Sequence, residues 1–276
     1  DATGTIVNDD VTPPPTVRTL TTGDDFWPGP AFPGDANGGN EIIDGLAGND
    51  TISGGPGDDT ISGDAGFDTA LWSGYRLQNS IALSFGADSS VSGGEGTDTL
   101  RNVERYVFTD GEFITDITHV AAQVFRLYGA AFDRTPDQSG LKGWTAALAS
   151  GDSDLVQVAE SFTQSLEFQA KYGANLTDGQ FITLLYRNVL DREPDPAGLA
   201  GWESALENGL SRAEALVGFS ESPENLQKTN AAIGAGLWLR DDQTASVARL
   251  YDTVLDRLPD AAGLSGWKAG LQGGMT

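Results

Sequence analysis

The sequence predicts a multidomain β plus α chain: a parallel β-roll with capping strands, followed by an all-α domain of tandem helical repeats. Three observations predict it. A nine-residue period runs from Ala36 to Leu71, with glycine in its fourth column (Gly39, Gly48, Gly57, Gly66), an acid in its sixth (Glu41, Asp50, Asp59, Asp68) and an apolar residue in its eighth (Ile43, Ile52, Ile61, Ala70). Polar and apolar residues then alternate through 72–116, as short strands require. From Leu127 onward the motif Leu-Tyr-x4-Asp-Arg-x-Pro-Asp-x2-Gly-Leu-x-Gly-Trp recurs, closing at Trp144, Trp202 and Trp267. These place an N-terminal strand and linker at 1–17, the roll and its caps at 18–117, and three helical repeats at 118–276, the third truncated.

The first segment, 1–17, reads as a short strand over Thr5 to Val7 and then a stiff, extended, proline-rich linker from Val11 to Val17. The run Ala2 to Asp10 resembles the last strand of a Calx-β domain, with no sandwich preceding it. Such an orphan strand can add to the sheet edge of a neighbouring subunit.

In the periodic region each column has a physical reason. The glycines suit a tight turn in which φ is often positive and backbone carbonyls must approach an ion closely. The acids supply hard oxygen ligands, and the eighth-column side chains stack into a thin aliphatic core. Two nonads make one coil, so Glu41 faces Asp59 and Asp50 faces Asp68. The donor set suits calcium, which takes six to eight oxygens in flexible geometry; it suits neither the stricter octahedron of magnesium nor the nitrogen and sulfur preference of zinc. A flexible linker of similar composition has no reason to keep glycine, acid and isoleucine in register.

Over 37–71 the pattern resembles the hemolysin-type calcium-binding repeat of the RTX family. The resemblance implies a β-roll with metal ligands drawn from Gly39, Glu41, Gly48, Asp50, Gly57, Asp59, Gly66 and Asp68. The outer units depart from the pattern at Ala36, Asn37 and Glu41 and at Asp64, Phe67 and Ala70. Upstream, Gly23-Asp24-Asp25 resembles a leading half-unit interrupted by Trp27, Pro28, Pro30 and Pro33. Downstream, Gly93 to Leu100 returns to the pattern once and adds Asp98 to the metal candidates. Ile81, Leu83 and Phe85, then Val107 and Phe113, alternate as antiparallel strands would, covering an edge that otherwise invites aggregation. Asp98, Glu104 and Asp110 fit calcium ligands or a solvated acidic surface equally.

Each copy of the helical motif opens on an apolar stripe, Val124, Leu127, Tyr128, Ala131 and Phe132 in the first and Ile182, Leu185, Tyr186, Val189 and Leu190 in the second. Pro136, Pro194 and Pro259 are expected to stop that helix, and Asp137, Asp195 and Asp260 to N-cap the next, with Pro196 at a first helical position. The second helix buries Leu141, Trp144 and Leu148 and their counterparts Leu199, Trp202, Leu206 and Leu264, Trp267, Leu271. A third helix is expected around 155–168 and 212–219. Arg134, Arg192 and Arg257 are expected to pair with the capping aspartate or its neighbour. The acid pairs flanking them, such as Asp133 and Asp137, lack the donor density of an EF-hand and read as caps and ion pairs. From about Val120 the region resembles a helical domain of unknown function found in bacterial surface, S-layer-like and secreted RTX proteins, distantly similar to the phycobilisome linker domain. That resemblance implies partner binding or assembly and carries no catalytic residue.

Composition narrows the function. The 276 residues carry 40 acids against 16 bases, a formal charge of −24, which disfavours nucleic acid and anionic membranes as partners. There is no cysteine and a single histidine, His119, at the junction of the two repeat regions, read as a junction residue. No nucleophile elbow, zinc-binding histidine pair or phosphate-cradling Gly-Lys is present, so no catalysis is expected. No apolar run is long enough to span a bilayer and no signal peptide is visible. Calcium at useful concentration favours a secreted, extracellular, surface-associated location. Two functions follow: a calcium-binding structural module of a secreted surface protein (S-layer-like, adhesin or filament), with partners or self-assembly through the helical repeats, or the C-terminal accessory and secretion region of a large type I-secreted enzyme. Both ends of the sequence read as cut from a longer chain.

Overall fold

The computed structural model describes residues 14–27, 39–84, 86–173, 175–259 and 261–272. The chain divides into two units, the first ending at Thr109 and the second beginning at Asp110. The orphan strand over Thr5 to Val7, the prolines at 28, 30 and 33, Phe85 and the Asp260 cap lie outside the described residues.

In the first unit, β1 (Thr16–Thr19), β3 (Glu41–Asp44), β5 (Thr60–Ser62) and β9 (Gly96–Arg101) follow one another in one parallel sheet. A second parallel sheet contains β2 (Phe26–Trp27), β4 (Thr51–Ile52), β6 (Thr69–Leu71) and β10 (Arg105–Phe108). Successive strands of the repeat alternate between the sheets, as two nonads per coil require. In register, Ile43, Ile61 and Leu100 stack along one sheet, and Trp27, Ile52, Ala70 and Tyr106 along the other, all buried. The aromatic rings of Trp72, Tyr106 and Phe108 stack with centroids 6.1 and 5.2 Å apart, adding bulk where the apolar column shrinks to Ala70.

Three expectations change here. Thr16 and Val17 belong to β1, because they pair with Glu41 and Ile42; the linker stops short of them. Trp27 does not interrupt the leading half-unit, since it fills the buried column two residues after Asp25. Within the first unit β7 (Ser80–Ala82) and β8 (Ser89–Gly93) pair antiparallel as expected, whereas Val107 lies in β10, which pairs with β6 in parallel.

The second unit opens with β11 (Gly111–Ile114), which carries Phe113. Its register is antiparallel with β12 (Leu237–Arg240), and Phe113 meets Trp238 at 4.7 Å. Between them run α1 (Val120–Phe132), α2 (Gln138–Ser150), α3 (Leu155–Thr163) and α4 (Leu166–Tyr172), and then α5 (Asp178–Leu190), α6 (Pro196–Glu207), α7 (Arg212–Ser220) and α8 (Pro223–Gly234). A third hairpin, α9 (Asp242–Leu255) and α10 (Ala261–Gln272), follows β12. Asp137 and Asp195 cap α2 and α6 as expected, with Pro196 in the first turn. The proline is not what stops the preceding helix. Asp133, Asp191 and Asp256 adopt left-handed φ of 51, 51 and 50°, ending α1, α5 and α9 before it.

The expected third helix is two. Ser165 and Ser222 restart the chain as N-caps of α4 and α8. Phe162 of α3 then sits among Tyr128, Phe132 and Trp144 at 4.7, 4.8 and 5.7 Å, and Phe219 of α7 lies 4.9 Å from both Tyr186 and Trp202. His119 N-caps α1 through Nδ1, which accepts the Ala121 N–H at 3.1 Å.

Candidate metal centre

The sixth-column acids form two buried rows. In one, the Glu41 N–H donates to Asp59 Oδ1 at 2.8 Å and the Asp59 N–H to Asp98 Oδ1 at 3.2 Å. In the other, Asp25 donates to Asp50, Asp50 to Asp68 and Asp68 to the Glu104 carboxylate, each from its backbone N–H at 2.8 Å. The pairings expected of Glu41 with Asp59 and Asp50 with Asp68 are therefore made through backbone N–H groups, one carboxylate oxygen each. Asp25 and Glu104 extend the second row at its two ends. Spacing alone does not assign them to it, because neither stands in the unbroken period.

A second ladder runs beside these rows in the fifth column. Asn40, Asn49 and Asp58 accept from the N–H groups of Asp58, Phe67 and Thr97 at 3.0, 2.8 and 2.8 Å. Its signal in the sequence is the recurring Asn or Asp just before the acid. Fourth-column glycines stack separately. A Cβ on Gly66, whose φ is +158°, would collide with the Gly48 carbonyl, and one on Gly57 with that of Gly39.

What remains of each row is one oxygen per acid. Asp50, Asp59 and Asp68 keep Oδ2 buried with no hydrogen-bond partner. A glycine stands against each of the three, and backbone carbonyls adjoin Gly45 and Gly63. A Cβ at Gly45 would stand 2.5 Å from Asp50 Oδ2, 2.9 Å from the Gly63 carbonyl oxygen and 3.2 Å from that of Ser62. Gly63 abuts Asp68 Oδ2 at 2.5 Å in the same sense, and Gly54 abuts that of Asp59. The glycines against the carboxylates are thus the first-column ones, Gly45, Gly54 and Gly63, alongside the fourth-column set Gly39, Gly48, Gly57 and Gly66.

Leaving a buried carboxylate oxygen unpaired costs several kcal/mol unless a cation or proton meets it. Burial accordingly pushes the Asp50, Asp59 and Asp68 carboxyls above the usual range, and Asp98 up to about 6. Carboxylate and carbonyl oxygens, with no nitrogen or sulfur among them, fit a hard divalent cation. Among the described residues no three acidic, histidine or cysteine side chains converge on one point, so backbone carbonyls must complete any shell. Asp98 differs from the others. Its Oδ2 accepts the Trp72 indole N–H at 2.8 Å, so an aromatic donor closes that row where an orphan oxygen would otherwise stand.

In the comparisons with known proteins, residues 35–70 match the RTX calcium-binding nonapeptide repeat, described as four copies. Residues 159–229 match DUF4214, a domain of unknown function, which spans the second helical copy and the close of the first. No curated protein matches the chain. The nonapeptide match makes calcium the supported ligand of the acid rows.

Proposed function

We propose that this chain is a non-catalytic, calcium-dependent structural module of a secreted, surface-associated protein. In this reading the first unit is a β-roll that calcium completes, and the helical unit is the part that meets other proteins. The observation that carries it is the set of orphan Oδ2 atoms on Asp50, Asp59 and Asp68, each against a glycine whose added Cβ would press on it. Asp50, Asp59 and Asp68, with Glu41 at the open end of its row, would hold the ion through those carboxylates and neighbouring carbonyls. A ligand bound only by the folded state stabilises it by mass action, so the roll would stay unfolded at submicromolar calcium and fold outside the cell. No helix among the described residues is long and apolar enough to cross a membrane.

The test is a calcium titration of the metal-free chain, followed together by circular dichroism and static light scattering. A gain of β signal with a half-point in the range of extracellular modules, about 10⁻⁴ to 10⁻³ M, supports the reading. Growth to large, chelator-reversible particles would add assembly to it. A roll equally folded with and without calcium rejects it.

A further inference from the structure

The first column of the repeat reads Gly45, Gly54, Gly63 and then Trp72, where a further glycine falls due. That one exchange sets the last turn apart. Each of the three glycines stands against the second oxygen of its own acid, five residues on, which an added Cβ at Gly45 or Gly63 would approach to 2.5 Å. Asp98 has a glycine in the same place, Gly93, but it is turned away. Gly93 pairs with Gly96 across the hairpin that joins β8 to β9, and an added Cβ there would press on the Asn79 side chain and the Gln78 carbonyl. What stands against Asp98 Oδ2 is Trp72, whose indole N–H reaches it at 2.8 Å. The tryptophan is buried and its ring stacks on Tyr106 and Phe108, so carbon occupies the space beside that oxygen.

The first turn is closed in a different way. Asp25 begins the other row, and five residues before it stands Leu20, which continues the pairing of β1 by donating its N–H to the Asp44 carbonyl at 2.8 Å. No glycine occupies the place beside the Asp25 carboxylate. Thr21 takes it instead: its N–H and its hydroxyl both donate to Asp25 Oδ2, each at 2.8 Å, which uses both lone pairs of that oxygen. The acids of the two rows thus include two kinds. Asp50, Asp59 and Asp68 keep an orphan oxygen beside a glycine, while Asp25 and Asp98 have theirs met by neutral donors of the chain itself.

We propose that Asp25 and Asp98 hold no cation, because Thr21 and Trp72 take its place, and that calcium is held by the acids between them in the chain. A neutral donor satisfies a carboxylate oxygen without an ion, so these two outer turns need no metal to complete them. Asp98, which spacing puts among the ligand candidates, is then an end-stop of its row. The ion count is set by how this chain closes its outer turns and not by the number of acids in the pattern. This rests on the calcium reading of the rows and adds where the loading stops.

The test counts bound calcium by equilibrium dialysis of the full chain, in the parent and in three variants. Asp59→Asn should lose at least one ion. Asp25→Asn should keep the parent's count, since an amide oxygen still accepts from Thr21. At Asp98 an amide nitrogen would face the indole N–H, so Asp98→Asn is combined with Trp72→Phe, and this double variant should also keep the count. A second measurement leaves the acid unchanged: hydrogen exchange of the Trp72 indole N–H at saturating calcium, read by NMR and assigned by its absence in Trp72→Phe. Slow exchange is expected, because the bond to Asp98 persists in the loaded state, and it decides that end if the double variant fails to fold. Loss of an ion from Asp25→Asn or from the folded double variant overturns the proposal and leaves the calcium reading of the rows in place. Fast indole exchange in the folded, loaded chain does the same. An unchanged count in Asp59→Asn, or no calcium uptake by the parent, overturns both.

Discussion

The two units bury opposite kinds of side chain. Before Thr109 the interior includes Glu41, Asp50, Asp59, Asp68 and Asp98 beside a single-file aliphatic column. After Asp110 it is aromatic and aliphatic, and among the described residues the one buried charge there, Arg126, is met by Glu221 and the Ile117 carbonyl. The first interior is incomplete as protein alone: its acids are held by backbone N–H groups on one oxygen and, at Asp50, Asp59 and Asp68, by nothing on the other. The second pairs its buried charge from within, and the orphan oxygens described there, on Gln138, Thr145 and Asn230, are neutral. Dependence on an ion therefore follows from where charge is buried and not from the acidity of the chain, since the helical unit is acidic too.

The largest way to break this contrast is to remove calcium. A calorimetric scan in saturating calcium should show two transitions. Chelation should abolish that of the first unit and leave the helical one within about a degree. Linkage alone gives about 2.7 kcal/mol at a calcium concentration one hundred times the dissociation constant. Loss of both transitions would mean that the helical core is not self-sufficient.

The converse break is Arg126→Ala. Its guanidinium is fully buried, donates from Nε to Glu221 Oε1 and from Nη1 to the Ile117 carbonyl, and closes a second bond from Nη2 to the same carboxylate. Removing one partner of a buried pair costs about 3–5 kcal/mol, so the helical transition should fall steeply while the calcium-dependent one stays in place.

Acid sharpens the comparison through opposite signs. In the first unit Asp98, buried and pushed up to about 6, binds its proton more tightly folded than unfolded. Such a group favours folding at low pH; the advantage is complete below the ordinary carboxylate value near 4 and is lost as pH rises through about 6. Metal-free chain should thus regain β signal as pH is lowered from about 7 to about 4.5. Saturating calcium should remove this gain by holding the carboxylates charged. In the helical unit burial pushes Asp241 up, but the Lys268 ammonium and the Thr244 hydroxyl and N–H outweigh it and hold the carboxyl down at about 2. Its contribution is present above the ordinary carboxylate value and fades as pH falls through that value toward 2. Circular dichroism melts across pH in calcium-free buffer check both signs.

The contrast also explains what can be read from sequence. A period of nine forces every turn onto the same geometry, so the acid columns, their partners two nonads away and the stacked isoleucines are legible from spacing. Only partly legible are the contributors that break the period, Asp25 in a half-unit that reads in sequence as interrupted at Trp27 and Glu104 as a ligand or a solvated acid, while the Asn and Asp ladder of the fifth column is hidden. In the helical unit the hairpin and its capping aspartates are legible, because a cap is a local bond between residues three apart. The arginine does not pair with that aspartate, as local spacing suggests, because its partner, Glu167 or Glu224, is brought by a different helix. No local rule reports such a contact, although the repeat of Phe-x2-Ser-x-Glu-x3-Lys is there to be found. The half-buried Trp144 and Trp202 have the same origin, since each rests against a phenylalanine, Phe162 or Phe219, from a different helix.

The smallest test uses glycine, which the two units employ for different reasons. In the repeat, Gly63 has no room: a Cβ would stand 2.5 Å from Asp68 Oδ2 and collide with the Asn102 carbonyl. In α2, Gly143 has nothing within 4 Å of an added Cβ and helical backbone on either side. Alanine at Gly143 therefore trades chain entropy for helix propensity with no steric cost and should stabilise the helical unit by about 1 kcal/mol. Alanine at Gly63 meets a backbone oxygen that cannot swing away, and it should destabilise the calcium-bound first unit by more than that and weaken calcium itself, read as a rightward shift of the titration. A Gly63→Ala chain that melts and binds calcium like the parent would mean that the orphan oxygens have slack around them, and the close-packed oxygen cage inferred for the first unit would be wrong.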